Sequence, residues 1–397
     1  MSRDSYWDGL RALLLFLVLN EHIARMLHPV LLNSEVLIDN SGGIDVALFF
    51  SPIQLLFNGA AAVSVMFCLT GYLISRSAFK SQNLLSFDVI ILFLKRYLRI
   101  CIPIVGAMII TYLAIATGVF EPQRLSPLFI TTFGYEPFNL DVSFVEMIKQ
   151  ALVTTPFLMN RDNNPMLWVV SVELYASFAL YLLCLITTNK WLKGNIQIMV
   201  SLSVCAVLIC LNHHEISIAF VLGHTLAVLE RFNLLRHRKL LSVIATIALG
   251  GFLFVLKGGE QNPFNFVGAG VHQLDSQYIV YGWGGAGLML LIMLSKRCQR
   301  CLSSKPLQLV GKASYSMLLI HIIVLVIATK WGAYVAPHDV VYQYMFVSIV
   351  TYIGTFWLGT GLYLAIEKPV LKLLTRLPLG SNIKLVTADL PNAHPTN

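Results

Sequence analysis

Apolar residues in this chain gather in runs of about 20, the length a helix needs to cross a hydrocarbon core. Ten such helices are predicted, over residues 8–28, 57–75, 100–119, 166–188, 195–212, 215–231, 240–256, 277–295, 313–335 and 342–366. Leu84 to Arg99 is apolar, with Lys95, Arg96 and Arg99 clustered at one end, and reads as an amphipathic interfacial helix leading into the third span. Pro103, just inside that span, would end or kink it. Two connections are long, Pro29 to Leu56 and Glu121 to Pro165, and loops of that length are usually functional. The fold class that follows is an all-α integral membrane protein, a bundle of about ten transmembrane helices. Residues 1–378 form one polytopic domain. The polar residues 379–397 read as a short disordered tail.

Composition agrees. Of 397 residues, 57% are hydrophobic and 12% charged, about half the charge content of an ordinary soluble domain. The net charge of +8 does not point to nucleic acid, because the cations sit in short loops between spans. Of the 28 Lys and Arg, 21 fall in segments on the N-terminal side of the membrane and five on the other. The positive-inside rule then puts both termini in the cytoplasm, in a multi-pass protein of the cytoplasmic (inner) membrane. No cleavable signal peptide is read, since the first apolar run is long and charged within. Of the seven cysteines, Cys298 and Cys301 form a C-x-x-C on a basic loop. No second pair completes a four-ligand set, so no metal site is expected.

Several spans carry polar groups whose burial in lipid is costly, which gives them a functional default. The first, WDGLRALLLFLVLNEHIARMLH, holds Arg11 and His22. At 3.6 residues per turn these lie on nearly one stripe, about 16 Å apart along the axis. The alternative is a snorkelling arginine and a satisfied core histidine. Glu173, in LWVVSVELYASF, lies about 10 Å below the outer end of its span and His22 about 8 Å from the same face, so the two could meet. A carboxylate beside an imidazole fixes its tautomer and raises its basicity. Pairing of Glu173 with Arg25 is the alternative. Trp168, Ser171 and Tyr175 share the other face of that helix, as packing or as chemistry. Gly71 lets another helix or a ligand approach closely. Arg76 with Arg11, Lys95, Arg96 and Arg99 makes a cationic rim, serving either as ordinary membrane anchoring or as a phosphate site. His224 and His321 read as structural.

Taken together, the motifs resemble those of the acyltransferase-3 family of membrane O-acyltransferases. Asp8-Gly9-Leu10-Arg11 with His22 is similar to the family's opening D-G-L-R and histidine. Thr70-Gly71-Tyr72-Leu73-Ile74 is similar to its S-G-F-L-I, and Lys95-Arg96-Tyr97-Leu98-Arg99-Ile100 with Pro103 to its R-R-x-x-R-I-x-P. Trp168 to Glu173 resembles W-S-L-S-V-E, with Val169 in place of the first serine. Gly311, Ser314, Tyr315 and His321 match a G-x-x-S-Y-x-x-Y-L-x-H element, and Glu367 with Pro369 matches a closing E-x-P.

The resemblance implies transfer of an acyl group from a cytoplasmic acyl-CoA, commonly acetyl-CoA, to a hydroxyl of a cell-surface or lipid-linked glycan. The acyl-CoA is a co-substrate, and no bound cofactor is implied. The other partners are the glycan acceptor and membrane lipid. His22 is the expected base and Glu173 its orienting carboxylate. Arg11, Arg76, Lys95, Arg96, Arg99 and Tyr72 are the expected donor-binding residues. Gly71, Trp168, Ser171 and Tyr315 are structural parts of the motifs. Intramembrane His, Glu and Arg also suit a secondary transporter or a membrane assembly protein, and some relatives acylate small cytoplasmic acceptors.

Overall fold

The computed structural model describes residues 5–27, 52–80, 86–120, 141–187, 198–200, 202–203, 206–207, 215–255, 276–336 and 339–376. No strand occurs among them. The principal helices are α1 (Tyr6–Leu27), α2 (Gly59–Lys80), α3 (Ser86–Ala116), α4 (Phe144–Lys149), α5 (Trp168–Thr187), α6 (Ile218–Arg231), α7 (Arg238–Val255), α8 (Ser276–Leu294), α9 (Lys296–Leu302), α10 (Lys305–Val335), α11 (Val340–Leu362) and α12 (Lys368–Arg376).

Nine of the ten expected spans coincide with a described helix, and 195–212 lies largely outside the described residues, as does the 379–397 tail. The expected count of ten is not reached among the described residues. Five described segments are long and apolar enough to cross: Gly59–Phe79, Asp88–Ala116, Pro165–Thr187, Lys305–Val335 and Val341–Arg376. Tyr278–Leu294 with Lys296–Leu302, bent by 99°, makes a sixth if the pair is one span. Helix α1 does not join them because it carries Asp8, Arg11, Glu21 and Arg25, and α6 has only 14 residues. The expected interfacial helix and third span are one continuous helix, α3, of 31 residues with Pro103 inside it. A proline is tolerated within a membrane helix where neighbours satisfy the freed backbone groups.

Helix α10 is the most enclosed of the five segments and α11 with α12 the least. Helix α1 lies between α10 and α2, α6 lies along α2, and α5 packs on α3 and α2. In lipid, apolar side chains gain little by leaving their surroundings, so close backbone approach at small residues carries much of the packing. A Cβ at Gly71 would collide with the Phe220 backbone of α6, and one at Gly223 with the Cys68 backbone of α2. Gly9 abuts the Leu302 backbone and Gly311 the Asp8 backbone. These contacts seat the start of α1 against α9 and α10 and so fix where Arg11 stands.

Of the long connection 121–165, residues 141–165 are described. They fold as α4, a π-turn over Gln150–Thr154, and a short helical segment Thr155–Leu158. Ser143 and Glu146 form a reciprocal capping box on α4. Gln150 donates to Asn160 at 2.8 Å, and the Tyr97 hydroxyl of α3 donates to the Leu152 carbonyl at 2.6 Å.

Candidate active site

A cavity of about 210 Å³ lies between α1, α2, α3, α5 and α10, with α12 on one flank. Its polar wall contains Arg11 from α1, Lys95, Arg96 and Arg99 from α3, and Lys312 from α10. Four of these five cations were read from the sequence as a rim, and Lys312 joins them. Two carboxylates, Glu173 and Glu367, also face the cavity, which leaves an excess of positive charge suited to a polyanion.

Short-range partners hold several of these groups. Arg11 pairs with Asp8 at 3.1 Å, one turn earlier. The Arg96 guanidinium donates to Glu173 through one Nη and to the Ser177 hydroxyl through Nε at 3.2 Å. Residues 173 and 177 are one turn apart on α5, so they grip one planar group from one helix face. Lys95 and Arg96 are buried, and charges so placed act in a poorer dielectric than surface cations. Ser316 donates to Glu367 at 2.5 Å, and the Tyr315 hydroxyl donates to the Ile100 carbonyl at 2.9 Å.

On α2 the lining runs from Ser77 to Val63, about 21 Å at 1.5 Å per residue. Val63, Met66 and Phe67 add apolar wall toward the start of α2. His22 is not among the lining residues; Gly59, one turn before Val63, sits against the side chain of Glu21, the neighbour of His22.

Two expected donor-binding residues lie elsewhere. Tyr72 and Arg76 do not line the cavity. The Tyr72 hydroxyl donates to Glu230 of α6 at 2.8 Å, and Arg76 pairs with the same carboxylate at 3.1 Å. Gly71, the neighbouring motif position, brings α6 close enough for both contacts. Trp168 is partly buried against the core, the Ser171 hydroxyl donates to the Thr155 carbonyl, and Tyr175 donates to the Phe157 carbonyl at 2.9 Å. That face of α5 holds the short outer segment in place, and it is packing.

The expected meeting of His22 with Glu173 does not occur as drawn. Glu173 pairs with Arg96 instead. His22 Nδ1 lies 2.9 Å from His321 Nε2 of α10, and Glu21 pairs with Arg25, the alternative partner for a carboxylate there. Agreement in depth does not make helices neighbours: α1 packs against α10 and α2, and α5 against α3 and α2, so α2 lies against both. His321 reads as structural from the sequence because no partner at matching depth is evident there. Helix α10 begins at Lys305, which puts His321 about 24 Å along it, and His22 is likewise about 24 Å along α1 from Tyr6. Reading the helix back through the polar stretch 305–312 would have found the pair.

Among the described residues no cluster of His, Cys, Asp or Glu is arranged to hold a metal ion. Cys298 and Cys301 are exposed free thiols on α9.

The arrangement sets a phosphate-compatible cationic wall in a cavity that His22 and His321 do not line, the imidazole pair lying buried between α1 and α10. A family model described as an acyltransferase domain, that of the acyltransferase-3 family, matches residues 4–363. No curated protein and no solved structure matches the chain. The matched segment contains every residue of the cavity wall except those of α12 and the adjoining Glu367, and the chain belongs to the acyltransferase-3 family of membrane acyltransferases.

Proposed function

We propose that this protein is an O-acyltransferase of the cytoplasmic membrane, taking an acyl group from cytoplasmic acyl-CoA, acetyl-CoA in the simplest case, to a hydroxyl of a cell-surface or lipid-linked glycan. The observation that carries this reading is the cavity itself. It has five cations on its wall and a lining that runs about 21 Å along α2, from Ser77 to Val63. That length is of the order of an extended pantetheine arm. Arg11, Lys95, Arg99 and Lys312 hold the donor phosphates, for which guanidinium and ammonium groups supply charge and donors together. Arg96 adds its charge and is kept in place by Glu173, whose role is to orient the guanidinium rather than the imidazole.

His22 acts as general base. Its bare ring nitrogen takes the proton of the acceptor hydroxyl as the oxygen forms its bond to the thioester carbonyl carbon. The C–S bond then breaks, the CoA sulfur leaves as thiolate, and the imidazolium returns the proton to it. Acyl thioester and alcohol become ester and free thiol, and the base is restored.

The test is mass spectrometry of surface and lipid-linked glycans from a deletion strain complemented with wild type or His22→Ala. Loss of one acyl mass from one glycan, restored by wild type alone, is expected. Restoration by a folded His22→Ala protein refutes the base. No change in any glycan points to a small cytoplasmic acceptor or to transport, and radiolabelled acyl-CoA transfer in isolated membranes separates those two.

A further inference from the structure

The contact between the two histidines has a direction, and the surrounding atoms determine it. His321 Nδ1 lies 2.6 Å from the Leu318 carbonyl oxygen, one turn earlier on α10. A carbonyl oxygen has no proton to give, so Nδ1 of His321 is the donor and carries the hydrogen. In a neutral ring the other nitrogen then holds the lone pair. His321 Nε2 is therefore an acceptor, and its partner at 2.9 Å, His22 Nδ1, is the donor. With both rings neutral, the basic nitrogen of His22 is Nε2.

Burial makes this relay firm. His321 has no exposed surface and His22 is 9% exposed, so water does not compete strongly for either bond. The ring centroids are 4.9 Å apart with planes tilted by 32°. The two helices that carry the pair are packed along each other, and the backbone contact of Gly311 with Asp8 fixes their register at one end. When Nε2 of His22 gains a proton, both nitrogens of that ring become donors and the bond to His321 is kept. The base can thus change charge without turning its ring.

We propose that His321 is a positioning residue that holds His22 as the Nδ1–H tautomer, so that Nε2 is the atom that exchanges protons with substrate. This rests on the reading of His22 as the base, but the tautomer itself is a property of the resting protein.

The experiment is solid-state NMR of the full chain in lipid with isotope-labelled histidine nitrogens, the His22 signals being assigned by their loss in His22→Gln. Wild type is expected to show a protonated Nδ1 and a bare Nε2 on His22. His321→Phe, which lacks an acceptor, is expected to move His22 toward the Nε2–H form that a free histidine prefers. His321→Gln, whose side-chain oxygen accepts from Nδ1–H, is expected to retain the wild-type form. Should the Phe variant fold poorly, His321→Asn, too short to reach, replaces it. A proton on Nε2 in the wild type, or a tautomer indifferent to His321, overturns the proposal.

Alongside, label transfer from radiolabelled acetyl-CoA is followed in native membranes. His321→Phe is expected to lower kcat about 10- to 100-fold, the usual scale for losing a partner that orients a ring. KM for the donor stays unchanged, and Gln recovers part of the rate. A switched tautomer with wild-type kcat overturns the positioning role. Full transfer by His22→Ala with the expected tautomer refutes the base reading and leaves the tautomer assignment standing.

Discussion

Two clusters of the same residue types stand on either side of α2. On one side Arg11, Lys95, Arg96, Arg99 and Lys312 face a shared cavity. On the other, Arg76 and Tyr72 converge on Glu230. In the first cluster five cations share the wall with two carboxylates, and the surplus charge looks into open space. In the second, one carboxylate takes both a guanidinium and a hydroxyl and ties two helices together. A cation near a membrane face is therefore not evidence of a ligand. What matters is whether its field ends on a protein carboxylate or in a cavity.

The comparison can be broken most severely at the glycine that separates the two clusters. In Gly71→Leu the new side chain meets the Phe220 backbone. Backbone cannot yield as a flexible side chain can, and overpacking of this kind costs about 3 kcal/mol or more. Both clusters should fail together, seen as loss of monodisperse protein in size-exclusion chromatography. A folded Gly71→Leu protein with full activity would show that α6 is not held where the structure places it.

Charge removal on the cavity side should be selective. Arg11→Ala and Lys312→Ala are each expected to raise the donor KM about 10- to 100-fold, because a hydrogen bond to a charged group contributes about 1.5–3 kcal/mol. Thermal stability should change little. Glu173→Gln should act in the same direction through Arg96, and its effect should largely vanish in an Arg96→Ala background, as expected of two residues in one network. Additive losses in that double mutant would separate Glu173 from Arg96.

On the other side the pattern should invert. Tyr72→Phe removes one hydrogen bond to Glu230 and should cost about 1 kcal/mol of stability with donor KM unchanged. A raised KM in Tyr72→Phe would return that residue to the donor site.

The smallest expected effect is outside the spans. The Ser143 backbone N–H and hydroxyl, bonded to Glu146, hold its carboxyl below the usual carboxylate range. A carboxylate with a lowered folded pKa stabilises above its unfolded value, about 4.3, and that contribution is lost as pH falls through the folded value. Amide protection over 143–149, taken relative to the intrinsic exchange rate at each pH, should therefore fall on acidification in wild type and change less in Glu146→Gln.

Much of this was legible in the chain. Long apolar runs fixed the helices, and the arginine of D-G-L-R and the basic cluster of α3 line one cavity. Their family resemblance is supported by the match over residues 4–363. The misreadings have one origin. Periodicity reports depth along a helix and the face a residue occupies, but neither says which helix lies opposite. Glu173 and His22 agreed in depth, yet each meets a different partner: Arg96 of α3 for Glu173 and His321 of α10 for His22. Tyr72 and Arg76 shared a motif with Gly71 and followed it toward α6. His321 was at the right depth, but the polar start of α10 hid where the helix begins.

By itself, then, the sequence determined an all-helical chain with membrane-spanning helices and which polar residues its spans bury, because apolar run length and the cost of burying charge are properties of local segments. Tertiary structure alone decided which carboxylate meets which cation and which atom completes the histidine pair. Those depend on the lateral order of helices, set by close backbone contacts at a few glycines far apart in the chain.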